Sequence, residues 1–425
     1  MSKKFNLLFL PALALAAMAC AAHPPGIVHI VNDDPEAAAI AKSVMLDVEK
    51  IRGLQFREEV KKSFLTKEQL SEYFEADYKE EFDPEMERAA QISMELFGLI
   101  PEGYDLIDSA KNLIVSEVVG FYDARRKQLF LMKGSAEEAK GVMAHELCHA
   151  LDDQFYNLNA VDEALEAAAP NNSDRIFAWG AVCEGSAMVI TVQYEMKDGL
   201  VGASSFAEFF AQMREDESDE TTDDADAEEL DISNSEEDSN SLDHVPDALT
   251  RPMIERYYSG ANFLNRGRGI AARPSKADVE RAFLDPPLSS EQVLHPEKYW
   301  DDTKRDDPRI VELPDLTNML GENWKRIGND VLGELGVAIL TTDPDDAPVT
   351  FDERMQQWLA VSSTLESEGW DGDRFDIYEK VGNGADTNEN AALVVWASVW
   401  DSETDAKQIA AGLPRRAGVE IHTVQ

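Results

Sequence analysis

The sequence predicts an α+β fold that is mostly helical, and three observations carry the expectation. Helix formers dominate from Pro35 to about Ile100, and a long apolar run from Arg175 to about Glu195 follows a good N-cap pair, Ser173-Asp174. Two short β-prone runs, Leu113–Asp123 and Lys127–Met132, flank the polar turn Asp123-Ala-Arg-Arg126 and read as a β-hairpin. Near the end, Ala391–Trp400 has the largely apolar, β-prone character of a strand. With 425 residues and 44% hydrophobic composition, the chain can bury a large core as one large domain or two to three smaller ones.

Taken in order, residues 1–22 read as a secretory signal peptide: Lys3 and Lys4 precede an apolar run, Phe5–Ala19, that ends in small residues. The ending Ala17-Met-Ala-Cys20 resembles a bacterial lipobox with Cys20 as the lipidated residue. It departs from that pattern at Ala17, so plain cleavage after Ala19 is the alternative. Residues 35–110 form an N-terminal helical region, with helices at Pro35–Arg52, Thr66–Phe74 and Pro84–Phe97. Residues 111–213 hold the hairpin and two further helices. Residues 214–244 are an acidic insertion, about half Asp and Glu without Lys or Arg between Glu215 and Asp243, and this composition predicts disorder. Residues 245–312 resume ordered sequence, and residues 313–425 form a C-terminal helical and strand region. The last part has helices expected at Asn323–Leu335 and Asp352–Glu368, a turn at Gly369–Arg374, the strand Ala391–Trp400 and a capped helix start at Asp401.

The chemistry gathers in Gly141–Gln154. His145-Glu-Leu-Cys-His149 is a complete HExxH; on a helix, His145 and His149 lie four residues apart on one face and both imidazoles reach one cation. Glu146 lies beside the first ligand, where it can contact a bound water without binding the metal. Val142, Met143, Leu147 and Ala150 give the helix an apolar side. A zinc site needs a third protein ligand. Glu184 sits in the otherwise apolar 175–195 helix, where an unpaired carboxylate is costly. The competitors are weaker: position 155 is Phe155, and Asp152 and Asp153 follow too closely on the same helix. Glu184 is therefore assigned as the third ligand to one zinc ion. For a donor to a developing oxyanion, the candidates are Tyr258 and His295; a core tyrosine and a turn cap at Pro296 are the plainer alternatives. Cys148 and Cys183 read as small buried hydrophobes, with a disulfide in an oxidising compartment as the alternative.

With Glu184-Gly-Ser-Ala187 downstream of HExxH, the chain resembles the gluzincins, zinc metallopeptidases in which two helices supply His, His and Glu. It is similar in particular to a set of exported bacterial gluzincin-like proteins. The shared stretches are Gly120-Phe-Tyr-Asp123, His145–Gln154, Glu184–Ala187, Ser289–Tyr299 and Gly369–Arg374, and the likeness runs from about Ala37 onward. The resemblance implies a core of hairpin, HExxH helix and third-ligand helix, and a peptide or protein substrate laid along the Gly120–Met132 hairpin. Many gluzincins carry an Asp four residues past the third ligand; here that position is Met188, so another group must orient a metal histidine.

The expected function is an exported zinc metallopeptidase, in the periplasm or cell envelope or secreted; the alternative is a non-catalytic envelope lipoprotein on the same scaffold. A calcium-buffering acidic protein is a third reading, resting on composition alone. A net charge of −44 argues against nucleic acid or an anionic membrane surface as partner, leaving lipid on Cys20 as the membrane contact. No internal run approaches the eighteen or so apolar residues of a membrane span.

Overall fold

The computed structural model describes residues 35–81, 84–117, 120–132, 140–197, 242–342, 350–381 and 391–413. The expected export segment 1–22, Cys20 included, and all but the last three residues of the acidic insertion lie outside them. The architecture is α+β: helices around two three-stranded sheets.

The first sheet has the order β1 (Lys61–Leu65), β3 (Gln128–Met132), β2 (Gly120–Asp123), with β1 parallel and β2 antiparallel to β3, so β2 is an edge. The expected hairpin exists but is shorter than its apolar run. Its first half belongs to a helix, α4 (Leu106–Glu117), following α1 (Pro35–Arg52), α2 (Lys67–Glu81) and α3 (Pro84–Phe97). Each residue of Gly120-Phe-Tyr-Asp123 has a structural task. A Cβ on Gly120 would stand 2.9 Å from Leu131 Cδ2 and 3.1 Å from the Phe130 carbonyl, so glycine lets the strand lie flat. Phe121 stacks on Phe130 at 4.9 Å between ring centres. Asp123 closes the turn by accepting from the amides of Arg125 (2.8 Å) and Arg126 (2.9 Å).

Behind this sheet lie α5 (Lys140–Tyr156), α6 (Leu158–Ala168) and α7 (Ser173–Lys197). α7 is apolar on every side, as a helix enclosed by protein must be. It is long and apolar enough to cross a membrane, which the sequence reading did not anticipate, yet 94% of that stretch is buried inside the protein. The most extensive helix pair is α7 with α8 (Asp247–Leu264). They cross on two glycines: a Cβ on Gly185 would lie 2.7 Å from the Ala261 nitrogen, and one on Gly260 would lie 2.9 Å from the Ala181 carbonyl carbon.

Short helices α9 (Lys276–Leu284), α10 (Ser290–Leu294), α11 (Glu297–Trp300) and α12 (Thr317–Leu320) lead to the second sheet. Its order is β4 (Trp324–Asp330), β5 (Trp370–Lys380), β6 (Ala392–Trp400), all antiparallel, with α13 (Gly333–Thr341), α14 (Phe351–Ala360) and α15 (Glu403–Gly412) around it. Two expectations are corrected here. Asn323–Leu335 is the strand β4 followed by the start of α13, because β5 offers it a partner along its length. The expected turn at Gly369–Arg374 is confined to Gly369, and Trp370–Arg374 opens β5, where Asp373 accepts the Leu332 (2.9 Å) and Gly333 (3.1 Å) amides at the start of α13. A continuous apolar core runs from Ala41 on α1 to Ile409 on α15, so the regions distinguished along the sequence share one interior.

Candidate metal centre

α5 presents His145 and His149 from successive turns of one face, their ring centres 4.8 Å apart. Glu184, from the middle of α7, meets them both. His145 Nε2 lies 3.0 Å from Glu184 Oε2, His149 Nε2 lies 3.3 Å from the same oxygen, and the two Nε2 atoms are 3.1 Å apart. A tetrahedral zinc with bonds of about 2.0–2.1 Å holds neighbouring ligand atoms roughly 3.3 Å from one another. The triangle in this site has that size, its donors are two imidazoles and a carboxylate, and both histidines are buried. The residues therefore fit a zinc ion.

Glu146 also lies within 4.8 Å of both imidazoles. Its Oε2 is engaged from the other side, accepting the Tyr122 amide of β2 at 2.7 Å, so it flanks the ligand triangle while Glu184 closes it. Strand β2, an edge of its sheet among the described residues, thus faces Glu146.

Second contacts fix the ligands. Thr191, two turns beyond Glu184 on α7, donates to the Ala187 carbonyl (2.9 Å), and its Oγ1 stands 3.4 Å from His145 Nδ1. With its proton committed to Ala187, the hydroxyl accepts from Nδ1–H, which leaves Nε2 with its lone pair toward the metal position. This is the orienting group that Met188 cannot supply; Met188 packs in an apolar cluster with Ile254 and Phe351.

The tail of the motif is scaffold. Asp152 accepts from Arg52 of α1 (2.8 Å) and from Ser186 of α7 (2.6 Å). Asp153 accepts from Tyr122 Oη (2.8 Å) and Lys127 Nζ (2.7 Å). Gln154 accepts the amides of Arg57 (2.7 Å) and Glu58 (3.1 Å). Three successive residues therefore tie α5 to α1, the hairpin and the segment before β1. Cys148 and Cys183 are buried thiols that do not form a disulfide, and Cys148 Sγ lies 3.6 Å from Asp152 Oδ2.

The two sequence candidates for an oxyanion donor are not at the site. Tyr258 is on α8, where its ring packs with the Met188–Phe351 cluster. The residue before it, Tyr257, stands against the cluster: its ring lies 5.5 Å from that of His145 and its hydroxyl bonds Glu184. Two adjacent helical residues point about 100° apart, and only one can face α7 at the glycine crossing. His295 instead bonds Glu334 Oε1 (2.8 Å) and Ser363 Oγ (3.2 Å), joining the end of α10 to the C-terminal region. Thr191 and Tyr257 are the residues the sequence reading missed. Thr191 carried a signal, since it lies seven positions after Glu184 and so on the same helical face.

Burial and charge together set the protonation of the metal-free cluster. Burial would lower the pKa of His149, but the Glu184 carboxylate overrides it and lifts it to about 9. Burial would raise Glu184, yet the two imidazoles hold it well below the usual carboxylate range. Burial pushes Glu146 up. Burial and the carboxylates of Glu184 and Glu146 push Tyr257 well above its ordinary value, so it keeps its proton and acts as a donor.

Residues 319–419, about a quarter of the chain, match the family described as a domain of unknown function, DUF8575. The match takes in the second sheet with α13, α14 and α15 and leaves the His145–Glu184 cluster outside it. No curated protein and no solved structure matches the chain.

Proposed function

We propose that the protein is an exported zinc metallopeptidase of gluzincin type, hydrolysing peptide bonds with His145, His149 and Glu184 as ligands and Glu146 as general base. The observation that carries the reading is the ligand triangle of 3.0, 3.1 and 3.3 Å with Glu146 beside it. Zinc bound there would act as a Lewis acid and lower the pKa of a coordinated water. Glu146, its Oε2 pinned by the Tyr122 amide, has Oε1 to take the water's proton and pass it to the leaving amine. Tyr257 keeps a protonated hydroxyl beside Glu184, able to turn to the oxygen on which charge develops. The outer edge of β2 offers backbone groups for an extended peptide, which would give affinity without fixing side-chain specificity. Export rests on the sequence of residues 1–22.

The test is metal content by mass spectrometry on purified protein, with Glu184→Ala and Glu146→Gln in parallel, followed by cleavage of a peptide library. One zinc per chain, lost in Glu184→Ala and kept in Glu146→Gln, with cleavage by the wild type alone, supports the proposal. Protein that takes up no zinc on reconstitution refutes it. Zinc uptake without cleavage of any peptide would leave the scaffold reading.

A further inference from the structure

Outside the metal centre, the distribution of charge has one sharp local reversal. The chain has 83 acidic and 39 basic residues, yet residues 256–277 contain no Asp or Glu and five cations: Arg256, Arg266, Arg268, Arg273 and Lys276. The last four are on the segment linking α8 to the start of α9, and the fold gathers them on one side. Arg266, Arg268 and Arg273 line an open cleft of about 460 Å3, together with Pro274, Ser275 and Asp278. That volume lies in the range of small-molecule sites, roughly 300–1,000 Å3.

The cleft is built by fixed backbone. Gly269 donates to Asn262 Oδ1 (2.9 Å), and the buried Asn265 donates back to the Gly269 carbonyl (2.9 Å). Arg266, Gly267 and Gly269 all have positive φ, at 55°, 73° and 83°, which winds the chain tightly and turns Arg266 and Arg268 outward.

The carboxylate partners do not match the cations. Asp278 neutralises Arg266, which also stacks over Trp300 at 4.8 Å. Arg268 donates to the Asn265 carbonyl (2.8 Å), Arg273 to the Ile51 carbonyl (3.2 Å) and Lys276 to the Gly53 carbonyl (2.9 Å). Each of these is a neutral acceptor, so among the described residues no carboxylate pairs with Arg268, Arg273 or Lys276. In a protein this acidic, cations left facing an open cleft mark a place for an anion brought from outside.

We propose that this cleft is a binding site for a small phosphate-bearing ligand, separate from the metal centre. The three cleft arginines and Asp278 leave an excess of two positive charges on its lining, which suits the roughly dianionic charge of a phosphate monoester near pH 7. Two planar guanidinium forks give the bidentate geometry that phosphate oxygens accept. A phospholipid headgroup has the same chemistry, but a protein of charge −44 is repelled by an anionic bilayer, which favours a soluble ligand. The site also has a path to the metal helix. Arg273 lines both this cleft and a neighbouring cavity of about 260 Å3 that reaches Arg52 and Ser186, the two residues holding Asp152 of α5.

The experiment is calorimetric titration and thermal melting of the full chain with inorganic phosphate, at ionic strength matched with sodium chloride. The wild type, Arg268→Gln and Arg273→Gln are compared. Each is repeated in a Glu184→Ala background, where phosphate cannot act through a bound metal. The expected result is saturable binding that persists in Glu184→Ala and weakens on the order of tenfold in either arginine variant. Equal stabilisation by chloride at matched ionic strength, or phosphate binding unchanged in both arginine variants, would overturn the proposal. Flotation with anionic phospholipid vesicles but no response to phosphate would also overturn it, in favour of a lipid surface. None of these outcomes depends on zinc or on peptide cleavage.

Discussion

The helix crossing that brings Tyr257 to the metal centre can be tested with one methyl group. In Gly260→Ala the new Cβ would lie 2.9 Å from the Ala181 carbonyl carbon and 3.1 Å from its Cα, and closer still to the carbonyl oxygen. Carbon atoms rest at about 3.5 Å or more, so α7 and α8 must part by at least about 0.6 Å. The obstacle is backbone, with no flexible side chain to swing aside. Overpacking of this kind costs roughly 1–3 kcal/mol, which in a protein of this size lowers Tm by roughly 2–10 °C. The three proposed ligands are on α5 and α7 and keep their relation, whereas Tyr257 is on α8, one turn before the insertion. Zinc stoichiometry should therefore be unchanged while kcat falls by about 10–100-fold, as expected for a reacting group displaced by part of an ångström. Differential scanning calorimetry, metal analysis and a cleavage assay on one preparation give all three readouts. An unchanged Tm would refute the close crossing, and full activity at lowered Tm would refute the role given to Tyr257.

Further outcomes follow from the same contacts. Tyr257→Phe should retain zinc and lose about 10²–10³ in kcat, whereas Tyr258→Phe should leave kcat near wild type; the reverse order in a peptidase assay would restore Tyr258. Arg52→Met leaves the buried Asp152 carboxylate without its ion pair, and should cost about 3–5 kcal/mol in urea unfolding, part of it recovered by adding Asp152→Asn. At His295, burial works to lower the pKa but Glu334 wins and raises it above 6.5. A raised histidine binds its proton more tightly in the folded state, so the pair stabilises fully below about pH 6.5 and its contribution fades as pH rises through the folded value. His295→Gln should therefore flatten the stability–pH profile above pH 6.5; an unaltered profile by chemical denaturation would remove His295 from that role.

Much of the candidate metal centre was legible in the chain because its signals are local. His145, Glu146 and His149 are set by helical spacing alone, and the apolar surroundings of Glu184 mark it as a carboxylate in need of a partner. The helices at Pro35–Arg52 and Pro84–Phe97 and the capped helix after Trp400 were likewise readable from their ends. Where the chain misleads, the deciding partner is distant. Leu113–Glu117 has strand-like composition but closes α4, and Trp324–Asp330 becomes a strand because β5, more than forty residues later, pairs with it. Short apolar runs satisfy either period until their partners are in place. The choice of Tyr257 over Tyr258 is of the same kind. Both belong to one helix, and only the crossing at Gly185 and Gly260 decides which of them turns toward Glu184. The sequence by itself determines what chemistry the centre can attempt, since ligand types and helical spacing are written locally. Tertiary packing alone decides which groups stand around it, because contacts between segments far apart in the chain leave no periodic trace.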